Sequence, residues 1–83
     1  MSDLPALTGR QLIALLKKDG WTDCGRVTHG VSLQKRGADG RTRIAVVPDK
    51  SVVLGETLHR IISVKQSGIG RQGLLDMIKR HGI

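Results

Sequence analysis

Residues 31–48, VSLQKRGADGRTRIAVVP, contain the pattern that decides the fold. Apolar and polar residues alternate over 31–36, as in a strand that buries one face. The run 41–47 is rich in β-branched residues, which favour strands, and Pro48 ends it because proline cannot donate a ladder hydrogen bond. The Asp-Gly pair between the two runs is a strong hairpin signal. The stretch therefore predicts two antiparallel strands joined by a turn at 37–40.

A helix is predicted over residues 9–19, before this hairpin. Thr8 is a suitable N-cap, and Gln11 three residues later completes a capping box in which each side chain satisfies a backbone N–H. Leucine and isoleucine residues follow at helical spacing, starting from Leu12. Gly20 is a typical helix stop because glycine adopts the left-handed conformation at low cost.

The remaining segments complete an α+β fold. A first strand is predicted over 21–27, a loop over 48–56 and a second helix over 57–67, followed by a short extra C-terminal helix over 71–81. The order is α-β-β-β-α, a three-stranded meander whose single face buries both helical stripes. Double-stranded-RNA-binding domains share this order.

The length and the composition exclude several classes of protein. Eighty-three residues make a single domain, 1–83, and the longest apolar run is far shorter than the ~20 residues of a membrane span. The N-terminus does not resemble a signal peptide. Cys24 is alone and the three histidines lack metal-ligand spacing. We expect a cytoplasmic domain that needs no cofactor, binds no metal and has no membrane partner.

The net charge of +7 indicates an anionic partner, most often a nucleic acid. Residues 26–50 contain six basic residues against two acidic ones, and a solvated surface is the alternative interpretation. Because successive strand residues alternate faces, Lys35 and Arg36 cannot point the same way, whereas Arg41 and Arg43 can. The expected phosphate contacts are Arg26, Lys35, Arg36, Arg41 and Arg43.

Short motifs follow one another along the chain: LTGRQLI at 7–13, LKKDGW at 16–21, TH at 28–29, VP at 47–48, GETLHRII at 55–62 and SGI at 67–69. In this order and spacing they resemble the HicA family, the toxin half of a bacterial toxin–antitoxin pair. The resemblance implies a double-stranded-RNA-binding-like fold, an endoribonuclease that cleaves mRNA, and a HicB-type antitoxin that covers the active site.

The resemblance also implies that His29 is the catalytic residue. The family usually has Gly-Ser-His where this chain has Val27-Thr28-His29, and many members have a histidine where this chain has Asp49. An imidazole exchanges protons near neutral pH, so it can deprotonate a ribose 2′-hydroxyl without a metal. Thr28 either hydrogen-bonds a phosphate oxygen or simply favours the strand.

Two other functions remain open. A non-catalytic RNA-binding domain would need the cations but not His29, and a protein-interaction module would use the basic residues to bind an acidic partner. We expect Trp21 to anchor the core and Cys24 to be an unreactive strand residue. We expect His59 and His81 to be exposed and inert.

Overall fold

The helices and strands follow one another in the predicted order. The computed structural model describes residues 6–28, 30–37, 39–63 and 67–82. Within these ranges it contains α1 (Gly9–Lys18), β1 (Thr22–Val27), β2 (Gly30–Arg36), β3 (Thr42–Val47), α2 (Glu56–Ile62) and α3 (Gly70–His81). The predicted α+β class, with three antiparallel strands and a third helix after the second, is confirmed.

The first helix begins at the predicted capping box. The backbone N–H of Gln11 donates to Thr8 Oγ1 at 3.1 Å, and the N–H of Thr8 donates to Gln11 Oε1 at 3.0 Å. The helix ends at Lys18, one residue earlier than predicted, because the backbone of Asp19 leaves the helical conformation. Gly20 follows with a φ of 97°, the left-handed region that favours glycine.

The three strands form an antiparallel meander in the order β1-β2-β3. β2 and β3 pair in continuous register, with Val31 opposite Val47 and Leu33 opposite Ala45. A bulge around Gly25, whose φ is 100°, shifts the register between β1 and β2. The predicted hairpin is therefore confirmed, and the distortion is confined to the edge strand β1.

The core lies between one face of the sheet and the helices, as predicted. α1 and α2 contact the sheet, and α3 contacts both of these helices. On the opposite face, Ile44 is 45% exposed and its cross-strand partner Gln34 is half-buried. Among the described residues, the buried hydrophobic ones form one cluster, made of Leu7, Leu12, Ile13, Leu15, Leu16, Trp21, Val31, Leu33, Ala45, Val47, Leu54, Leu58, Ile61, Ile62, Leu74 and Met77.

The second helix is shorter than predicted and ends at Ile62. Three of the residues predicted to continue it lie outside the described ranges. Ser63 takes an extended conformation, and its hydroxyl donates to the carbonyl oxygen of Arg60 at 2.8 Å. The buried hydroxyl of Ser67 donates to the carbonyl oxygen of Ile61. The hydroxyl and backbone N–H groups of these two serines thus satisfy carbonyl groups that a longer helix would have paired with N–H groups of its next turn.

The C-terminal helix matches the predicted range closely and is longer than α2. α3 has 12 residues, whereas α2 has 7. It begins at Gly70, one residue before its predicted start, and Gly82 closes it in the left-handed conformation with a φ of 71°. Gly73 lies inside the helix without interrupting it.

Candidate functional site

Three segments meet at one end of the sheet: the first turn of α1, the β1–β2 turn and the residues after β3. A Cβ atom at Gly9 would lie 1.7 Å from the carbonyl oxygen of Pro48, so a glycine is needed for this approach. The backbone N–H of Arg10 donates to the carbonyl oxygen of Lys50 at 3.1 Å. A Cβ atom at Gly30 would lie 2.1 Å from the last carbonyl oxygen of β3. The two glycines therefore allow the three segments to pack closely.

An open groove of about 480 Å³ lies between the β1–β2 turn and the segment after β3. We call it the Asp49 groove, and its lining residues are Arg26, Val27, Thr28, Gly30, Pro48, Asp49 and Lys50. Two cations and one carboxylate thus face a common space. Arg26 and Thr28, both predicted to contact RNA, lie here.

Asp49 connects two arginines that come from different elements. Nη2 of Arg26, in β1, donates to Oδ2 of Asp49, and Nε of Arg10, in α1, lies 3.6 Å from Oδ1. The arginine side chains are 75% and 69% exposed, so the pairs contribute little to stability, about 0–1 kcal/mol each. Their effect is to hold two guanidinium groups beside the groove.

Sequence reasoning did not identify Arg10 or Lys50 as site residues. For Arg10 a signal exists, because the first turn of α1 contains no acidic residue although the helix dipole favours anions there. A cation that opposes the dipole indicates another interaction, which the structure identifies as Asp49. Lys50 carries no such signal, since its position depends on the path of the chain after Pro48.

The predicted catalytic residue, His29, lies outside the described residues. Its two neighbours in the chain, Thr28 and Gly30, both line the Asp49 groove. Thr28 is exposed, so its hydroxyl group is available to a ligand. The residues on both sides of His29 therefore lie in a groove that also contains cationic side chains.

The other predicted RNA contacts lie elsewhere. Lys35 and Arg43 are cross-strand partners on the helix-facing side, at the end of the sheet away from the β1–β2 turn. Arg36 follows Lys35 and lies on the opposite face, as the predicted alternation requires. Arg41 precedes β3, and its N–H donates to Oδ1 of Asp39 at 3.0 Å. None of these four cations lines the Asp49 groove.

A second ionic cluster surrounds Asp19, at the end of α1. Nζ of Lys35 lies 2.8 Å from the backbone oxygen of Asp19 and 3.0 Å from its Oδ2. Nε2 of His81 and Nη2 of Arg80 lie 3.1 Å and 3.4 Å from Oδ1. Burial of the carboxylate raises its pKa, but hydrogen bonds from His81 and Lys35 outweigh that effect. Together with the charges of Lys35 and Arg80, they hold the pKa of Asp19 below its ordinary 3.8.

The prediction that His81 is exposed and inert is wrong. Its side chain is 23% exposed and contacts Asp19, 62 residues away in the chain. The prediction that Trp21 anchors the core is confirmed, because this residue is 5% exposed. Cys24 lies in β1 and His59 in α2, and both are exposed.

Two negative findings concern the ranges that the structure describes. In this part of the chain no three histidine, cysteine, aspartate or glutamate side chains come together in a group that could hold a metal ion. None of the described helices has the length and apolar character needed to cross a bilayer.

Comparisons with known proteins do not identify a family. The resemblance to the HicA family rests on its short sequence motifs, so membership stays a prediction. The chain matches no family model, no curated protein and no solved structure.

Proposed function

We propose that the chain is a metal-independent endoribonuclease that cleaves mRNA in the cytoplasm and acts as the toxin of a toxin–antitoxin pair. The observation that best supports this proposal is the Asp49 groove, which both neighbours of His29 line together with Arg26 and Lys50. Phosphodiester cleavage requires cations beside a group that transfers protons, because negative charge develops on the phosphate oxygens in the transition state.

In this proposal His29 is the general base. Its imidazole removes the proton from a ribose 2′-hydroxyl, and the 2′-oxygen forms a bond to phosphorus. The bond between phosphorus and the 5′-oxygen breaks, and its electron pair stays on that oxygen, which takes up a proton from solvent water. The products are a 2′,3′-cyclic phosphate and a 5′-hydroxyl. Arg26 and Lys50 stabilise the charge on phosphorus-bound oxygens, and the Thr28 hydroxyl donates to one of them.

Asp49 positions cations instead of transferring protons. It stands where many HicA members have a histidine, and it accepts a hydrogen bond from Arg26. The Arg26 side chain is 75% exposed in the pair, and without Asp49 it would be free to adopt many rotamers, so the pairing orders its guanidinium group. Arg26 can still bind a phosphate, since a guanidinium group has five N–H donors.

We further propose that the fold is of the double-stranded-RNA-binding type. The order α1-β1-β2-β3-α2, the antiparallel meander and the packing of helices on one face support this. Such domains recognise RNA through its shape, its phosphates and its 2′-hydroxyl groups. A nuclease that attacks through the 2′-hydroxyl must likewise contact that hydroxyl and the adjacent phosphate.

The partner in this proposal is a HicB-type antitoxin that covers the Asp49 groove with acidic and apolar groups. Val27, which lines the groove, is 48% exposed, and Val52 and Val53, just after Lys50, are 61% and 57% exposed. Apolar side chains next to cations match a partner surface that carries both kinds of group. Stoichiometric addition of the protein encoded by the adjacent gene should therefore inhibit cleavage, and undiminished cleavage would remove the antitoxin from the proposal.

The deciding experiment compares cleavage of a single-stranded RNA by the parent chain, His29→Ala and His59→Ala. Loss of a general base reduces the rate about 10²–10⁴-fold, so His29→Ala should be nearly inactive. His59→Ala removes an exposed imidazole outside the groove and should retain the parental rate. Circular dichroism of all three proteins verifies that they fold alike.

Two further measurements test the chemistry. A 2′-deoxy substitution at the scissile position should stop cleavage, and a chelator should not affect the rate. If His29→Ala cleaves as fast as the parent, the catalytic assignment fails and a non-catalytic RNA-binding domain becomes the better proposal.

A further inference from the structure

A second cavity lies at the other end of the sheet, between the helix-facing side of β2 and β3 and the C-terminal helix. Its volume is about 250 Å³. The apolar wall is formed by Trp21, Ile69 and Met77, and the cationic groups belong to Lys35, Arg43 and Arg80. We call it the Trp21 cleft. No residue in the described ranges lines both this cleft and the Asp49 groove.

The two cations on the sheet are placed unfavourably for the fold itself. Lys35 and Arg43 lie directly opposite each other, on the face where Leu33 and Ala45 continue the core. Like charges in cross-strand positions repel, whereas apolar residues here would extend the buried face. Such a local conflict between sequence and fold is expected where a residue serves binding.

Acidic residues offset these cations only in part. Asp19 is the one carboxylate among the described residues that line the cleft, and it faces both Lys35 and Arg80. Arg43 has Asp39 at 3.9 Å, close to the limit for an ion pair. Arg43 also lies close over Gly68, where an added Cβ atom would be 2.4 Å from Nη1. The guanidinium group is thus held at the cleft wall while 44% of the side chain remains exposed.

We propose that the Trp21 cleft is a second RNA subsite that binds a backbone phosphate on Arg43 and Lys35, with the attached nucleotide against the apolar wall. Cations that line a groove are the groups by which proteins follow the backbone of single-stranded nucleic acid, and the half-buried Ile69 offers the apolar contact. The guanidinium fork also matches two phosphate oxygens. This inference rests on the proposed function, because the strand bound here is the one cleaved at the Asp49 groove.

The distance between the two sites sets a minimum length for an RNA that occupies both. Lys35 lies five residues after Gly30 along β2, which corresponds to about 17 Å at ~3.3 Å per residue. A stacked strand rises ~3.4 Å per nucleotide, so it must span about five nucleotides to reach both sites. A substrate of two or three nucleotides occupies the Asp49 groove alone.

Trp21 gives a direct assay because it is the only aromatic residue in the chain and lines the cleft. A 12-nucleotide single-stranded RNA with every 2′-hydroxyl methylated cannot be cleaved by attack of the 2′-oxygen. Its binding, followed by tryptophan fluorescence, is therefore independent of catalysis. Titrations use the full chain, Arg43→Gln, Arg80→Gln and the control Arg60→Gln, which removes one charge from the exposed side of α2.

We expect the RNA to change the Trp21 emission of the parent. Arg43→Gln should weaken binding roughly tenfold or more and reduce the salt slope by about 0.7, as for one lost phosphate contact. Arg80→Gln should act in the same direction, and Arg60→Gln should change affinity less than about twofold. With cleavable RNA, Arg43→Gln should slow cleavage of a 12-nucleotide substrate but not of a trinucleotide.

Equal losses in Arg43→Gln and Arg60→Gln would overturn the subsite, since the effect would then be one of net charge. If the methylated RNA leaves the emission unchanged but an acidic antitoxin alters it, the cleft binds protein and the proposal is wrong. If RNA binding follows the expected pattern while His29→Ala still cleaves, the subsite stands and only the catalytic assignment fails.

Discussion

Gly9→Ala should destabilise the protein, although an alanine in a helix is usually more stable than a glycine. Relief of the glycine entropy cost would contribute at most about 1 kcal/mol. The new Cβ atom, however, would lie 1.7 Å from the carbonyl oxygen of Pro48. Ordinary C···O contacts begin near 3.3 Å, so the carbonyl group must move by about 1.6 Å.

The size of the loss follows from what that movement breaks. Overpacking of this kind costs about 1–3 kcal/mol. The carbonyl group of Pro48 also accepts a hydrogen bond from the N–H of Lys50 at 2.9 Å, which contributes about 0.5–1.5 kcal/mol. After the alanine gain is subtracted, we expect a net loss of about 2 kcal/mol. For a domain of this size the Tm should fall by about 8–16 °C.

Thermal and urea unfolding, followed by circular dichroism and Trp21 fluorescence, measure this difference. Gly73→Ala in α3 is the matched control, because its Cβ atom would meet only the Ile69 side chain, at 3.1 Å, which can shift. The control should be unchanged or up to about 1 kcal/mol more stable. If Gly9→Ala is as stable as the parent, the close contact between α1 and the segment after β3 is not a constraint. The packing of α1 against the segment after β3 would then not account for the position of Asp49 in the groove.

Three further predictions concern stability. The pKa of Asp19 is lowered in the native state, so its stabilising effect is present above 3.8 and is lost as the pH falls through the native value. Urea titrations should show that the free energy of unfolding of Asp19→Asn falls furthest below that of the parent at neutral pH. A difference that stays constant into acid would contradict the assignment. Ser67→Ala should lower the free energy of unfolding by about 0.5–1.5 kcal/mol in the same assay, because it removes one of the two hydrogen bonds that Ser67 donates to the Ile61 carbonyl group. An unchanged midpoint would show that this hydrogen bond is dispensable. Leu33→Ala should lower the free energy of unfolding by about 2–5 kcal/mol, whereas Ile44→Ala on the opposite face should lower it much less. Similar losses would mean that both faces of the sheet are buried.

The first helix and the hairpin could be predicted from the sequence because their determinants are local. Thr8 and Gln11 are three residues apart and satisfy each other's backbone N–H groups wherever the helix packs. Alternation over 31–36 assigns Leu33 to the buried face, and the Asp-Gly pair places the turn. The early end of α2 was not predicted, because the hydroxyl that satisfies one of its last carbonyl groups belongs to Ser67, beyond the helix.

Part of the candidate site was also readable from local pattern. The basic excess of residues 26–50 predicts Arg26 as a phosphate contact, and the Thr-His motif at 28–29 indicates Thr28. The structure places both in one groove. Arg10 joins them only through Asp49, 39 positions further along the chain. No periodicity links residues at such a separation, since the contact arises from the packing of α1 against the segment after β3.

By itself the sequence determined the α+β class, the order of the elements, the buried face of the hairpin and the net charge of +7. These properties depend on neighbouring residues or on composition. Only the tertiary structure decided how the cations divide between the two ends of the sheet. Lys35 and Arg43 form the Trp21 cleft with Arg80, and Asp19 meets His81 across 62 residues. Burial of the common hydrophobic core brings these distant segments together, and the core forms only when all the elements pack at once.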